Sequence, residues 1–265
     1  MTANGYAAAT QPISSDTLHT PVDGLIAGHV DIASFDGFAL PAYFARPAGD
    51  GPYPLVLVVQ EIFGLHEYIK DVCRRIANRG YVAVSAQTFA RAGDPAVLTD
   101  IAEIRPIVNA TPDATTMADL DACVDWAVRE SNADPNKVGI TGFCWGGRAV
   151  WLYAAHSDEL KAGIAWYGRL DGDHAANQAA WPVDVARALK APVLGLYGGQ
   201  DPSIPADVIS RMQDELAVVD SPSEIVIYPE AGHGFHADYR PSYRPTDAVD
   251  GERRLFEWLS HHGVV

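Results

Sequence analysis

The 265-residue sequence predicts an α/β protein: a mostly parallel, doubly wound sheet entered through an antiparallel N-terminal hairpin. Three observations carry this. From about residue 54 onward, strand-like and helix-like stretches alternate, as a parallel sheet with crossover helices requires. Pro54-Leu55-Val56-Leu57-Val58-Val59 is a continuous apolar run, expected of a strand covered on both faces. Before it, strand-like residues 28–33 and 39–46 flank Phe35-Asp36-Gly37-Phe38, whose Asp-Gly pair suits the positive φ of a hairpin turn.

Taken in order, residues 1–22 are rich in Ala, Thr, Ser and Pro and read as a surface arm, with 23–265 as one domain. The strand at 55–59 is followed by a helix at 68–78, a strand at 81–85, a helix at 116–130, a strand at 137–141 and a helix at 145–155. Strands at 162–167, 193–197 and 224–228 continue the series, followed by helices at 183–189, 206–218 and 251–261. Two connections, 87–114 and 168–181, are long for α/β loops, and the first holds a weak helical patch near 97–104. Long loops at the carboxyl end of such a sheet form walls or lids of a pocket.

Composition narrows the function. With 48% hydrophobic and 20% charged residues the chain is ordinary for a globular protein, and its formal charge of −15 argues against nucleic acid or an anionic membrane as partner. Three cysteines make no disulfide framework and suit a reducing compartment; Cys73 and Cys123 fall in amphipathic helical stretches, where a small buried hydrophobe is the expected role. The N-terminus lacks a basic start followed by a long apolar run, and no segment has the length and apolarity of a bilayer span. A cytoplasmic location is expected, a periplasmic one being compatible with a removed signal. A monomer or small homo-oligomer is expected.

The chemistry centres on Gly142-Phe143-Cys144-Trp145-Gly146-Gly147, between the end of a strand and the start of a helix. This Gly-x-Cys-x-Gly pattern matches a nucleophile elbow with sulfur in place of a serine oxygen. Its glycines let the helix approach the strand, and the helix N-terminus favours an anionic thiolate. A buried, inert cysteine between packing glycines is the bland alternative. Downstream, Gly199-Gln200-Asp201 follows the strand at 193–197, and Ala231-Gly232-His233-Gly234-Phe235 follows the strand at 224–228. Alone, Asp201 reads as a turn residue and His233 as a solvated loop histidine. Nucleophile, acid and histidine in that order, each on a carboxyl-end loop, match the α/β-hydrolase fold. A zinc site on His233 and His236 has plausible spacing but only Glu230 and Asp238 nearby as further ligands, so no metal and no cofactor are expected.

From about residue 25 to the C-terminus the chain resembles the dienelactone hydrolase family of α/β-hydrolases. The resemblance rests on the elbow and the two downstream loops together with Gln60-Glu61-Ile62-Phe63-Gly64 and Phe89-Ala90-Arg91. It implies that Cys144 attacks the carbonyl of a small ester or lactone, His233 shuttles the proton and Asp201 orients the imidazole. It implies an oxyanion hole from the N–H groups of Ile62 and Trp145, and a part for Glu61 in ionising the thiol, with capping of the following helix as the structural alternative. Arg91 is implied as a partner of the substrate carboxylate or of Glu61. The family's second arginine, soon after the histidine, is replaced here by His236, so Arg240 in Tyr239-Arg240-Pro241 is the candidate to reach inward. Arg91, Arg169 and Arg240 would then offset the protein's acidity locally. Trp145, Trp166, Tyr167 and Trp181 are candidates for an aromatic wall, with core packing explaining Trp166 equally well.

Two other functions fit a thiol elbow. A non-hydrolytic thiol sensor or ligand-binding relative needs only the thiolate, and the intact Asp201 and His233 argue against it. An amidotransferase-like protein does not need the Gly-Gly-Gln-Asp loop and ranks lower.

Overall fold

The computed structural model describes residues 17–265. Most of the expected arm, residues 1–16, lies outside the described residues. At its described end Thr20 is tied down, its N–H donating to Oδ1 of Asp71 at 2.6 Å.

Eight strands form one sheet: β1 (Leu25–Ala33), β2 (Ala39–Pro47), β3 (Tyr53–Val59), β4 (Val82–Ala86), β5 (Ala133–Phe143), β6 (Leu160–Trp166), β7 (Val193–Gly198) and β8 (Glu224–Tyr228). Their order is β1-β2-β4-β3-β5-β6-β7-β8, with β1, β2 and β4 joined antiparallel and every later pairing parallel. This is the mostly parallel sheet with an antiparallel N-terminal hairpin expected from the alternation of strand-like and helix-like stretches, and it is the architecture that the family resemblance implies. The turn between β1 and β2 forms as its sequence requires: Gly37 has φ +80°, and Asp36 accepts a hydrogen bond from the Phe38 N–H at 3.1 Å.

Seven helices flank the sheet among the described residues: α1 (Glu67–Ala77), α2 (Ile101–Ala110), α3 (Asp113–Glu130), α4 (Trp145–His156), α5 (Pro182–Val185), α6 (Ala206–Val218) and α7 (Pro245–His261). Leu55 to Val59 are essentially inaccessible, because β3 is covered on both faces. Strand β5 shows the layering. A Cβ on Gly139 would strike Leu259 of α7, whereas one on Gly142, three residues on and so on the opposite face, would strike α4. None of the helices is long and apolar enough to cross a membrane.

Three elements differ from expectation. Helix α7 begins at Pro245 rather than near residue 251, since a proline at the first helical position already has the required φ. Gly251 lies inside it, where any Cβ would come within 2.5 Å of the Trp166 ring. The long connection after β4 holds a 3₁₀ turn, Pro95–Val97, and then α2, capped by Asp100, whose carboxylate accepts from the Ala102 N–H at 2.8 Å. Pro106 sits within α2 and removes one of its backbone donors, which is why its pattern reads weakly. The helix expected at 183–189 splits into α5 and a 3₁₀ turn, Ala186–Ala188.

At the elbow, a Cβ on Gly146 would lie 2.3 Å from the carbonyl oxygen of Val59, and one on Gly142 would lie 2.3 Å from that of Gly146. Both obstacles are backbone, which cannot step aside cheaply. Gly146→Ala is therefore expected to destabilise the fold by about 3 kcal/mol or more, read as a lowered urea midpoint with unchanged slope.

Candidate active site

The carboxyl ends of five strands converge on one pocket of about 770 Å³. β3 delivers Glu61 and Ile62, β5 delivers Cys144, β6 leads into Tyr167 and Arg169, β7 into Asp201, and β8 into His233. Cys144 has φ 55° and ψ −112°, a conformation that a non-glycine residue adopts only when its surroundings impose it. It immediately precedes α4, so its side chain stands at the helix N-terminus, and it is partly exposed to the pocket. The other two cysteines are buried in α1 and α3, and burial pushes both thiols far above the usual range.

His233 links the thiol to the acid. Its Nδ1 lies 2.6 Å from Oδ2 of Asp201, whose side chain is fully buried. Asp201 is steadied by Ser203, which donates from its N–H at 2.9 Å and its hydroxyl at 2.6 Å to Oδ1. Burial alone would raise the Asp201 pKa; the bond to His233 and its charge, with Ser203, hold it below the usual carboxylate range. For His233, burial opposes the charged form, but the charge of Cys144 and the bond to Asp201 prevail and raise it to about 10. The imidazole is thus placed between two groups that favour its protonated form. Cys144, His233 and Asp201 come together as expected from their loops.

Glu61 is fully buried, and its carboxylate faces side chains, not the N-terminus of α1. Arg240 Nη2 lies 2.9 Å from Oε1, the Tyr239 hydroxyl donates to Oε2 at 2.5 Å, and His66 Nε2 stands 3.6 Å from Oε2. Burial would raise this carboxyl, yet the Arg240 charge, with His66 and Tyr239, brings it down to about 2. Arg240 does reach inward and lines the pocket, held by Glu61 and also attracted by the charge of Cys144. Arg244 turns away, its Nε donating to Asp247 at 2.6 Å.

Arg91 does not join the site. Its guanidinium pairs with Asp36 of the β1–β2 turn at 2.8 Å and with buried Asp119 of α3 at 2.6 Å, and it lies over the Phe38 ring. These partners, both distant in sequence, hold it away from the pocket lining. The aromatic group also divides. Trp145 and Trp181 line the pocket, whereas Trp166 and Tyr167 are wholly buried and absent from its lining; Tyr167, expected to touch substrate, instead packs edge-on to His233 at 5.1 Å. Both long connections contribute walls: Val108 and Asn109 from α2, Gln178 and Trp181 from the segment after β6. Ile62 and Trp145 line the pocket beside Cys144; as the first residue of α4, Trp145 has a backbone N–H without an intrahelical acceptor.

Sequence reasoning missed Ser203, Tyr239 and His66. Ser203 carried a signal, since a serine two residues after an aspartate closes an Asx turn that fixes the carboxylate. His236 is buried outside the pocket lining, Nδ1 at 2.5 Å from the Tyr68 hydroxyl and Nε2 at 3.0 Å from Glu252, so it shares no ligand position with His233. Among the described residues no cluster of three His, Cys, Asp or Glu is placed to hold a metal ion.

The sheet order and helix placement define an α/β-hydrolase-fold protein. The model of the dienelactone hydrolase family matches residues 40–263, and the chain belongs to that family, making it a hydrolase of the lactone and ester type. A Methylorubrum extorquens protein named "Putative carboxymethylenebutenolidase" is 54% identical over 265 residues, covering 99% of this chain and 91% of its own. An Escherichia coli protein of the same name is 48% identical over 262 residues, covering 98% and 96%. A crystal structure described as a "Putative Dienelactone Hydrolase" from Klebsiella pneumoniae superposes with a TM-score of 0.87 at 50% identity, over 89% of this chain and 98% of that one.

Two measurements test the site's electrostatics. Removing the charge of the thiol should lower the His233 pKa, so Cys144→Ser is expected to shift the titration of its ring proton, followed by NMR, to lower pH. Glu61 titrates at about 2 in the folded protein against the usual 4.5, so its stabilisation is complete above that usual value and is lost as pH falls towards 2. That loss amounts to about 3 kcal/mol. Glu61→Gln is expected to lower stability at neutral pH by roughly 3 kcal/mol, leaving Arg240 buried without its partner, and to flatten the acid limb of stability against pH.

Proposed function

We propose that the protein hydrolyses a carboxylic ester or lactone through a cysteinyl acyl-enzyme, with Cys144, His233 and Asp201 as the catalytic triad. The observation that carries this is the thiol at a positive-φ corner before α4, coupled in charge to an imidazole that Asp201 holds at 2.6 Å. In the resting site the thiolate faces the His233 imidazolium and Arg240. Sγ donates its electron pair to the substrate carbonyl carbon, a C–S bond forms and the carbonyl oxygen becomes an oxyanion. The N–H groups of Ile62 and Trp145 receive that charge. On collapse the C–O bond breaks, and the alkoxide takes the proton from the imidazolium. Water then attacks the thioester while the neutral imidazole accepts a proton from it, the C–S bond breaks and the acid leaves, restoring thiolate and imidazolium.

Asp201 keeps Nδ1 occupied, so that Nε2 serves the reaction, and stabilises the imidazolium. Glu61 acts as a positioning residue: its ion pair holds Arg240 facing Cys144, so the guanidinium contributes positive charge beside the thiolate without a mobile side chain. The relatives named as carboxymethylenebutenolidases support a lactone as one substrate type. Tyr167 acts by packing edge-on against His233, and Arg91 acts as a clamp between the hairpin and α3.

With p-nitrophenyl acetate, the wild type is expected to give a burst of one nitrophenolate per chain and a thioester adduct on Cys144 detectable by mass. Cys144→Ala should abolish both, and Asp201→Asn should lower kcat by about 10³-fold or more. Full activity of Cys144→Ala, or an adduct on another residue, would contradict the mechanism.

A further inference from the structure

The pocket has a charge balance opposite to that of the chain. The protein carries a formal −15, yet the pocket lining contains four arginines and not one aspartate or glutamate. Two of the four are neutralised. Arg240 is paired with Glu61, and buried Arg148 grips Asp113 with two bonds of 2.6 and 2.7 Å and donates a third to the Ala180 carbonyl. The other two, Arg105 of α2 and Arg169 after β6, are exposed in the lining and have no carboxylate within ion-pair distance among the described residues.

Arg169 is not simply a floating surface cation. Its guanidinium lies 5.1 Å from the centroid of Trp181, a ring also covered by Arg148 at 4.6 Å and fixed by an Nε1–H bond to the Asp173 carbonyl at 3.2 Å. Stacking orients a guanidinium while leaving its N–H fork free to bind an oxyanion. Arg105 is carried by a helix anchored through buried Ile104 and Val108, whose Asn109 carbonyl accepts from Asn177 Nδ2 at 3.1 Å. The two cations therefore reach the mouth from two separate walls. The same lining offers apolar surface from Ile62, Phe63, Val108, Trp145 and Trp181. The pocket's 770 Å³ is several times the roughly 150 Å³ that holds a benzene ring, so a compact lactone leaves most of it unfilled.

We infer that Arg105 and Arg169 form an anion-binding subsite at the pocket mouth, and that the ester cleaved at Cys144 is an extended compound with an apolar middle and a carboxylate or phosphate at its remote end. The cleavage step rests on the function proposed above; the subsite can be tested apart from it. Arg240, already committed to Glu61, serves the reacting end, while the mouth arginines supply a remote charge contact.

The test uses p-nitrophenyl esters of a homologous series of acids in three forms: neutral, ω-carboxylate and ω-phosphate. At the chain length that spans the pocket, an anionic ester should exceed the neutral ester of equal length in kcat/KM by about tenfold, mainly through KM. Whichever anion gives the larger ratio names the headgroup. In Arg105→Gln/Arg169→Gln the ratio should fall to near one, with partial recovery in Arg105→Lys/Arg169→Lys. Equal kcat/KM for anionic and neutral esters at every length, or a ratio that survives the double glutamine variant, would overturn the subsite. Calorimetric titration of the Cys144→Ala protein with the diacids and with the matching monoacids reads the same contact without turnover. Diacids should bind about tenfold tighter, and equal affinities count against the subsite. If no ester of any kind releases nitrophenolate, the hydrolytic mechanism fails, and the titration still decides whether the mouth binds anions.

Discussion

The fold's functional geometry depends on backbone-to-backbone contact at one corner. Strands β3, β5 and β6 and helix α4 meet so closely that a single methyl group on Gly142, Gly146 or Gly147 would collide with main-chain oxygen. Cys144 is forced into positive φ by this meeting, at a local cost of about 1–3 kcal/mol that the surrounding core offsets. The gain is placement. Because the corner belongs to the sheet, the sulfur is fixed relative to Ile62 at the end of β3 and to Tyr167 at the end of β6. Neither position has to be set by a free loop.

Electrostatics build on that frame. Glu61 sits beside the corner with no solvent exposure, and an isolated carboxylate there would be strongly disfavoured. It persists as an anion because Arg240, Tyr239 and His66 surround both oxygens. The pair is mutual, for Arg240 is largely buried as well, and removing either member leaves the other charge poorly compensated. This arrangement explains how a strongly acidic chain keeps a cation next to its thiol. The carboxylate that neutralises Arg240 is outside the pocket lining, whereas the arginine shares that lining with Cys144.

The strands and the placement of Cys144, Asp201 and His233 were legible because both are local signals tied to strand ends. Strand-like runs marked β3, β5, β6 and β7, and each candidate residue followed its strand within a few positions. Arg91 was not legible, since its motif says nothing of Asp36 and Asp119, which lie 55 and 28 positions away and hold it elsewhere. Helix α2 was blurred by Pro106, and the start of α7 by Gly251, whose purpose is contact with Trp166 and so exists only in three dimensions. Arg240 was readable as a candidate but not as a certainty, because the path of the segment after His233 depends on how that segment is pinned.

That pinning separates two histidines three residues apart. His236 is stacked against Phe143 and packed on Trp166, bonded to Tyr68 of α1 and Glu252 of α7. It thereby ties the loop that carries His233 to the residue preceding Cys144 and to helices α1 and α7. With Nδ1 held by Asp201 on one side and the loop anchored through His236 on the other, the His233 ring has little freedom left except at Nε2. The proton shuttle proposed for His233 needs a fixed ring and a single open nitrogen, and a loop that buries one histidine while leaving the other at the pocket meets both needs. The buried polar contacts of His236 with Tyr68 and Glu252 therefore help to fix where the His233 imidazole sits, although neither Tyr68 nor His236 lines the pocket.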